Sequence, residues 1–274
     1  METGSPFDVE TAVTSDGHGR FSAQVSSAWN IGENPNGGYL MAIGLRAMRD
    51  QAAAVDPHLD QPDPLTLTAH FLRPGIAGTS CTIDTEVLKL GRSITTTRCA
   101  FVQQGKVRVE MLAGFGNLSR PAVVAGHEMT VAPPVLPPPN ECVDRATLSQ
   151  GVTLPLLDRV EVRIAPEQAE LGTGGAAEMA GWIRFVDGRP ADSLALALFA
   201  DAYPPSLFTA LGSIGWVPTL EMTVHIRRRP APGWLMATFE SDDLAGGRMI
   251  ETGSLWDAEG HLVARSRQLG MLLT

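Results

Sequence analysis

Between Phe21 and Val25 apolar and polar side chains alternate, the period of a strand with one buried face. Residues 34–38, Asn-Pro-Asn-Gly-Gly, are dense turn chemistry. From Tyr39 to Met48 the spacing becomes helical, through Leu40, Ile43, Gly44 and Ala47, with Asn36 placed to cap the first turn. A Pro/Asp-rich loop from Asp56 to Pro64 leads into strand patterns at Leu65–Leu72, Thr79–Lys89, Ser93–Gln103 and Lys106–Phe115, the last after a turn at Gln104-Gly105. A helix followed by an antiparallel meander predicts an α+β unit. Residues 1–20 read as a loose lead-in.

The chain then repeats this plan. Shifted by 155 positions, His70 falls on His225, Arg73 on Arg228, Gly91 on Gly246, Thr97 on Thr252 and Gly105 on Gly260. The apolar positions Phe71, Ile94, Phe101 and Val107 fall on Ile226, Met249, Trp256 and Leu262. An ungapped repeat of this length implies one structural unit built twice. Strand patterns at Leu157–Ile164 and Glu178–Val186 open the second copy. A helix from Leu194 to Tyr203 follows, capped by Asp192 or Ser193 and stopped by Pro204-Pro205. Strand patterns at Thr219–Arg227, Trp234–Ser241, Arg248–Trp256 and His261–Leu272 complete it. Between the copies, five prolines in Val131–Asn140 read as an extended, semi-rigid linker. The expected division is residues 1–120, a linker at 121–150, and 151–274.

Composition narrows the function. The net charge of −9 opposes nucleic acid or an anionic membrane as the main partner. Three scattered cysteines, Cys81, Cys99 and Cys142, make neither a disulfide framework nor a zinc site, and Cys81 and Cys99 fall in strand runs as small hydrophobes. The acidic, polar N-terminus lacks the apolar core of a signal peptide, and the longest apolar run, Leu194–Ala200, is far too short to span a membrane. A cytoplasmic protein without membrane insertion is expected. The six histidines show no metal spacing, so no metal and no cofactor is expected. Gly212-Ser213-Ile214-Gly215 is one residue short of a serine-hydrolase elbow. Gly172-x-Gly174-x-x-Ala177 precedes a strand rather than a helix, which removes the dinucleotide-loop context.

Where the copies differ, chemistry collects. Asp201 ends the helical stripe Leu194, Ala197, Leu198, Asp201, and its counterpart in the first copy is Arg46. Burial and the C-terminal end of its own helix should both raise its pKa, the route to a general base. In Thr219–Arg227 strict alternation places Thr219 with Glu221, Thr223 and His225, opposite Leu220, Met222, Val224 and Ile226. Gln268 shares a face with Ala264 and Ser266, and its counterpart is Ala113. One carboxylate with a hydroxyl and an amide suits holding and deprotonating a water. Gly38, at the start of the first helix, is a candidate donor to a substrate carbonyl. Arg227, Arg228 and Arg229 could meet phosphates or form a solvated strand end.

Several segments resemble the acyl-CoA thioesterase II family, the bacterial TesB-like double-hotdog thioesterases. They are Trp29-Asn30-Ile31, Asn36-Gly37-Gly38-Tyr39, Gly181-Trp182-Ile183-Arg184, Asp187-Gly188-Arg189-Pro190, Asp201-Ala202-Tyr203-Pro204-Pro205 and Pro218-Thr219-Leu220. The most specific is the closing Gly260-x-Leu262-Val263-Ala264-Arg265-Ser266-x-Gln268-x-Gly270. The resemblance implies two tandem hotdogs, each a helix wrapped by an antiparallel sheet, with the catalytic set on Asp201, Thr219 and Gln268. It also implies hydrolysis of a fatty acyl-CoA thioester by direct attack of a water activated by Asp201, and a homo-oligomer, dimer or higher. The chain departs from the family at Glu221-Met222-Thr223, where the bacterial pattern has Asp-His-Ser, and at Pro204-Pro205, so chain-length preference does not carry over. The alternatives are a non-catalytic acyl-binding hotdog protein and an enoyl-CoA hydratase or dehydratase using His70 or His225.

Overall fold

Alternating strands with one apolar face need a shared core, and here they find it in a single sheet. The computed structural model describes residues 4–120, 129–148, 151–213 and 215–273. The first half comprises α1 (Pro6–Glu10), β1 (Thr14–Gly17), β2 (Arg20–Gln24), β3 (Asn30–Ile31), β4 (Asn34–Pro35), α2 (Gly37–Val55), β5 (Asp63–Phe71), β6 (Ser80–Lys89), β7 (Thr95–Gln103) and β8 (Lys106–Gly116). The second comprises β9 (Val143–Asp144), β10 (Val160–Ile164), α3 (Pro166–Ala169), β11 (Glu178–Phe185), α4 (Ala195–Phe199), α5 (Leu207–Leu211), β12 (Thr219–Ile226), β13 (Leu235–Ala245), β14 (Arg248–Trp256) and β15 (Leu262–Met271).

Thirteen of the described strands form one antiparallel sheet in the order β1-β2-β6-β7-β8-β5-β12-β15-β14-β13-β11-β10-β9. The equivalent strands β5 and β12 pair at its centre. Thr68 lies opposite Thr223 there, their hydroxyl oxygens 2.9 Å apart and their positions 155 apart in sequence. A residue facing its own repeat equivalent marks a local twofold relation. Each copy's sheet therefore continues into the other, and α2 and α4 lie on the same side of it. This is the tandem hotdog α+β fold.

The ungapped repeat needs one correction. The 155-residue shift holds for β5 with β12 and for β8 with β15, whose pairings superpose under it. In the two strands between, the equivalence is one residue shorter, so Phe101 matches Leu255, not Trp256, and Thr97 matches Glu251, not Thr252. The buried face fixes the register: Phe101 and Leu255 are both fully buried, whereas Ile94 is half exposed and its sequence counterpart Met249 is buried. Both copies also carry a β-bulge at one repeated place, between Pro64 and Thr66 and between Thr219 and Glu221.

α2 runs to Val55, a turn and more past the predicted end at Met48. Its last turns, Arg49–Val55, carry helix-favouring Ala, Arg and Gln without an apolar stripe, so propensity rather than periodicity extends it. The second helix is shorter than predicted. α4 stops at Phe199, and a separate turn of helix, α5, follows the prolines. Asp192, as expected, caps α4, its Oδ1 accepting from Ala195 N at 2.8 Å.

The N-terminal segment is not loose. Phe7 of α1 is buried against Trp29 and Phe185, at ring separations of 5.9 and 5.0 Å. Glu10 accepts from Trp29 Nε1 at 2.9 Å and from Ser26 Oγ at 2.8 Å. The proline-rich segment is likewise pinned: Trp256 Nε1 donates to Val131 O and Trp182 Nε1 to Pro137 O, both at 2.9 Å, and residues 143–144 join the sheet as β9. Residues 121–128 and 149–150 of the expected linker lie outside the described residues. All three cysteines are buried, and burial pushes the Cys81 thiol up to about 12, so it behaves as a hydrophobe.

The two helices meet at Gly38. A Cβ there would lie 2.7 Å from Ala197 O and from Leu198 Cα, both backbone atoms that cannot rotate away. Gly38→Ala is expected to separate α2 from α4 and cost about 1–3 kcal/mol, read as a lower urea midpoint. An unchanged midpoint would show that the helices do not need this approach.

Candidate active site

The site lies where the start of α2, from the first copy, meets the residues after α4, from the second. Asp201 follows α4 in a tightened turn, its N–H donating to Leu198 O at 3.1 Å. Its carboxylate points at the N-terminus of α2. Gly38 N donates to Oδ2 at 2.8 Å, and Asn36 Nδ2 donates to Oδ2 at 2.9 Å and to the Asp201 carbonyl at 2.7 Å. Asn36 still caps α2, its Oδ1 accepting from Tyr39 N at 2.9 Å. One side chain thus starts the helix and grips the carboxylate; sequence reasoning saw only the first task.

Burial pushes the Asp201 carboxyl up to about 6, and the nearby Glu251 charge pushes the same way, while the Gly38, Gly37 and Asn36 donors oppose them. The expected contribution from its own helix end is not among these causes. The helix end facing it is the N-terminus of α2, whose dipole favours the charge.

Thr219 and Gln268 come together at the inner ends of β12 and β15, where Thr219 Oγ1 donates to Gln268 Oε1 at 2.7 Å. Strict alternation would turn Thr219 away from Gln268. The bulge reverses its side: Thr219 pairs with Gly270 and Met222 with Gln268, which puts Thr219, Met222 and Gln268 on the core face. In the first copy the same bulge presents Pro64 and Ala113 stands for Gln268, while the 155-residue shift of the sequence puts Arg46 at the place of Asp201. Arg46 bonds Asp8 and Thr11 instead.

Asp201, Thr219 and Gln268 all line one cavity of about 590 Å³. Its walls are largely apolar and include Leu40, Phe71, Phe208, Trp216, Phe239 and Met249. Arg145 and Glu251, which sequence reasoning did not select, line it too, and both are almost wholly buried. Arg145 Nη1 donates to Ala202 O, and desolvation lowers its pKa to about 10.

Other candidates fall elsewhere. Gly38 does not line the cavity, and its N–H serves the Asp201 carboxylate rather than a substrate carbonyl. His70 and His225 are exposed and outside the cavity. Arg229 forks onto the buried Asp63, with Nη2 to Oδ2 at 2.8 Å, so it is a structural ion pair. The N–H groups of Gly172, Thr173 and Gly174 donate to the carbonyls of Phe208, Thr209 and Ala210, so that loop caps α5. No group of three or more His, Cys, Asp or Glu among the described residues could hold a metal, and no described helix is long and apolar enough to cross a membrane.

This geometry can be set against known proteins. Residues 25–116 match the acyl-CoA thioesterase N-terminal domain and residues 138–272 the acyl-CoA thioesterase C-terminal domain. The chain belongs to the acyl-CoA thioesterase family. Its fold is similar to that of a protein assigned as a thioesterase II from Thermobifida fusca YX, at TM-score 0.85 and 28% identity over the full length of both chains. It is also similar to a hot dog protein of unknown function from Alicyclobacillus acidocaldarius, at TM-score 0.83 and 25% identity over 99% of each. In sequence it is 26% identical to the thioesterase-like protein TwmA of Talaromyces wortmannii, over 93% of this chain and 88% of that one. The acyl-CoA thioesterase is thus a thioester hydrolase built on tandem hotdogs.

A carboxyl raised to about 6 leaves a signature in stability. Unfolded, the group would titrate near its ordinary 3.8. Between those values the folded enzyme holds a proton that the unfolded chain has lost, so stability falls as pH rises through the window and stays lowered above it. Asp201→Asn keeps an acceptor for Gly38 and removes the charge. It should stabilise the fold by about 1–3 kcal/mol near pH 8 and much less near pH 4. Urea midpoints at the two pH values measure this; equal gains at both would refute the raised pKa.

Proposed function

We propose that this thioesterase hydrolyses a fatty acyl-CoA thioester with Asp201 as general base, and with Thr219 and Gln268 orienting the attacking water. The observation that carries the reading is a raised carboxylate and a hydroxyl–amide pair lining one apolar cavity. Thr219 spends its proton on Gln268, so its lone pairs are open to a proton of the water. Gln268 keeps a second Nε2–H to donate to the water's oxygen. The remaining water proton goes to Asp201 as oxygen attacks the carbonyl carbon. The tetrahedral intermediate collapses, the C–S bond breaks, and the proton on Asp201 passes to the leaving thiolate. Free acid and CoA depart with Asp201 ionised again and no acyl-enzyme formed.

The cavity supports an apolar acyl chain: its volume falls within the range of small-molecule sites, about 300–1,000 Å³, and its lining is largely aromatic and aliphatic. The hydratase reading loses its candidate histidines to the exposed face of the sheet. A cytoplasmic location and a homo-oligomer remain part of the proposal, the first on cysteine use and the second on family resemblance.

Thiol release from acyl-CoAs of graded chain length tests the reading. Asp201→Asn should lower kcat by about 10²–10⁴-fold, the usual contribution of a positioned base. Wild-type kcat/KM should rise through about pH 6 to a plateau, following ionisation of Asp201. Release that survives Asp201→Asn would reject the base, and acyl-CoA binding without release in wild type would favour a binding protein.

A further inference from the structure

Glu251 is a buried acid that the mechanism above does not use. It stands on β14 directly across from Gln268 on β15, 3% exposed, in the wall of the same cavity. Both of its oxygens are held. Oε1 accepts from Gln268 Nε2 at 2.5 Å, and Oε2 accepts from Ser206 N at 2.7 Å and Ser206 Oγ at 2.6 Å. Ser206 Oγ lies 2.8 Å from Ser241 Oγ on the next strand, which extends the chain of contacts to β13.

From this arrangement we infer that Glu251 is the positioning residue of the site: it fixes which end of the Gln268 amide faces Thr219, and so fixes the direction of every hydrogen bond offered to the water. The inference rests on the water-activation reading given under Proposed function. A glutamine amide is nearly symmetric in shape, and either end fits between Thr219 and a neighbour. An ionised carboxylate only accepts, so it admits Nε2 and rejects Oε1. With Nε2 on Glu251, Oε1 must face Thr219, and the Thr219 hydroxyl must donate to it. Its lone pairs are then presented to solvent. The two serine donors hold the far oxygen, so the carboxylate cannot swing away.

The first copy agrees. The structural equivalents of Glu251 and Gln268 are Thr97 and Ala113, paired across β7 and β8. The carboxylate–amide pair thus occurs only in the copy that carries Asp201. Burial raises the Glu251 pKa while its Ser206 and Gln268 donors oppose, and its charge in turn raises that of Asp201. The titratable groups lining the cavity are Arg73, Arg145, Asp201, Tyr203 and Glu251; Arg145 interacts with Tyr203 and Asp201, and Asp201 is the one on which the Glu251 charge acts.

Glu251→Gln is close in shape and keeps an acceptor for Ser206. Its Nε2 would face Gln268, forcing that amide to flip and the Thr219 hydroxyl to turn. The expected result is a kcat lower by about 10–100-fold, the usual cost of losing an outer-shell orienting partner, with KM within about twofold. The acid limb of kcat/KM should also move to lower pH as Asp201 loses its like-charged neighbour. Independently of turnover, the Gln268 side-chain amide signal in a ¹⁵N-labelled protein, identified by its loss in Gln268→Ala, should lose the downfield proton of a charge-assisted hydrogen bond. Ser206→Ala, which frees the far end of the carboxylate, should shift kcat and the amide signal in the same sense by less, and it decides the matter if Glu251→Gln does not fold. An amide signal unmoved by the folded variant, or a wild-type kcat and acid limb, would overturn the role of Glu251. Hydrolysis that survives Asp201→Asn would instead overturn the base, and the amide signal would still decide for or against Glu251.

Discussion

The Asp201 carboxylate held against the first turn of α2 is the contact on which the rest of the site depends. The acid comes from one copy of the repeat, and the Asn36, Gly37 and Gly38 donors come from the other. Two helices can approach closely enough for this only because Gly38 has no side chain to meet the backbone of Ala197 and Leu198. The same contact balances the charge. Burial and Glu251 disfavour it, the helix N-terminus favours it, and the result is a carboxyl whose pKa is raised to about 6. The candidate site is therefore built by the fused pair, with contacts from both hotdogs.

Duplication explains how the site could become one-sided. Both copies keep the bulge that re-aims a residue at the start of the central strand, Pro64 in one and Thr219 in the other. In the first copy the re-aimed residue is Pro64, paired with Phe115, while Ala113 takes the place of Gln268 and Arg46 turns to the N-terminal segment to bond Asp8 and Thr11. That half supplies scaffold and the capping helix. The second half carries a hydrogen-bonded row across three strands: Thr219 on β12, Gln268 on β15 and Glu251 on β14, tied off by Ser206. Such a row is costly to bury unless every member is satisfied, and here each side chain has a partner on the next.

The sequence by itself determined the repeat, the α+β unit, the strands of both meanders and the three residues that distinguish one copy from the other. Those features are legible because they are local: period-two alternation, a capping asparagine, a proline pair, and a carboxylate where its twin has an arginine. The anchored Phe7 and the pinned proline-rich segment were not legible, since a short polar stretch shows nothing of the tryptophan or aromatic cluster that will receive it. Only the tertiary structure decided that Thr219 faces Gln268, because a bulge inverts the alternation without altering the residue pattern. It alone decided that Glu251 stands across from Gln268, because β14 is displaced by one residue from the repeat that the sequence displays. It alone gave the Gly38 N–H to Asp201 rather than to a substrate. In each case the deciding quantity is register or approach between segments far apart in the chain, and single-chain periodicity carries no information about either.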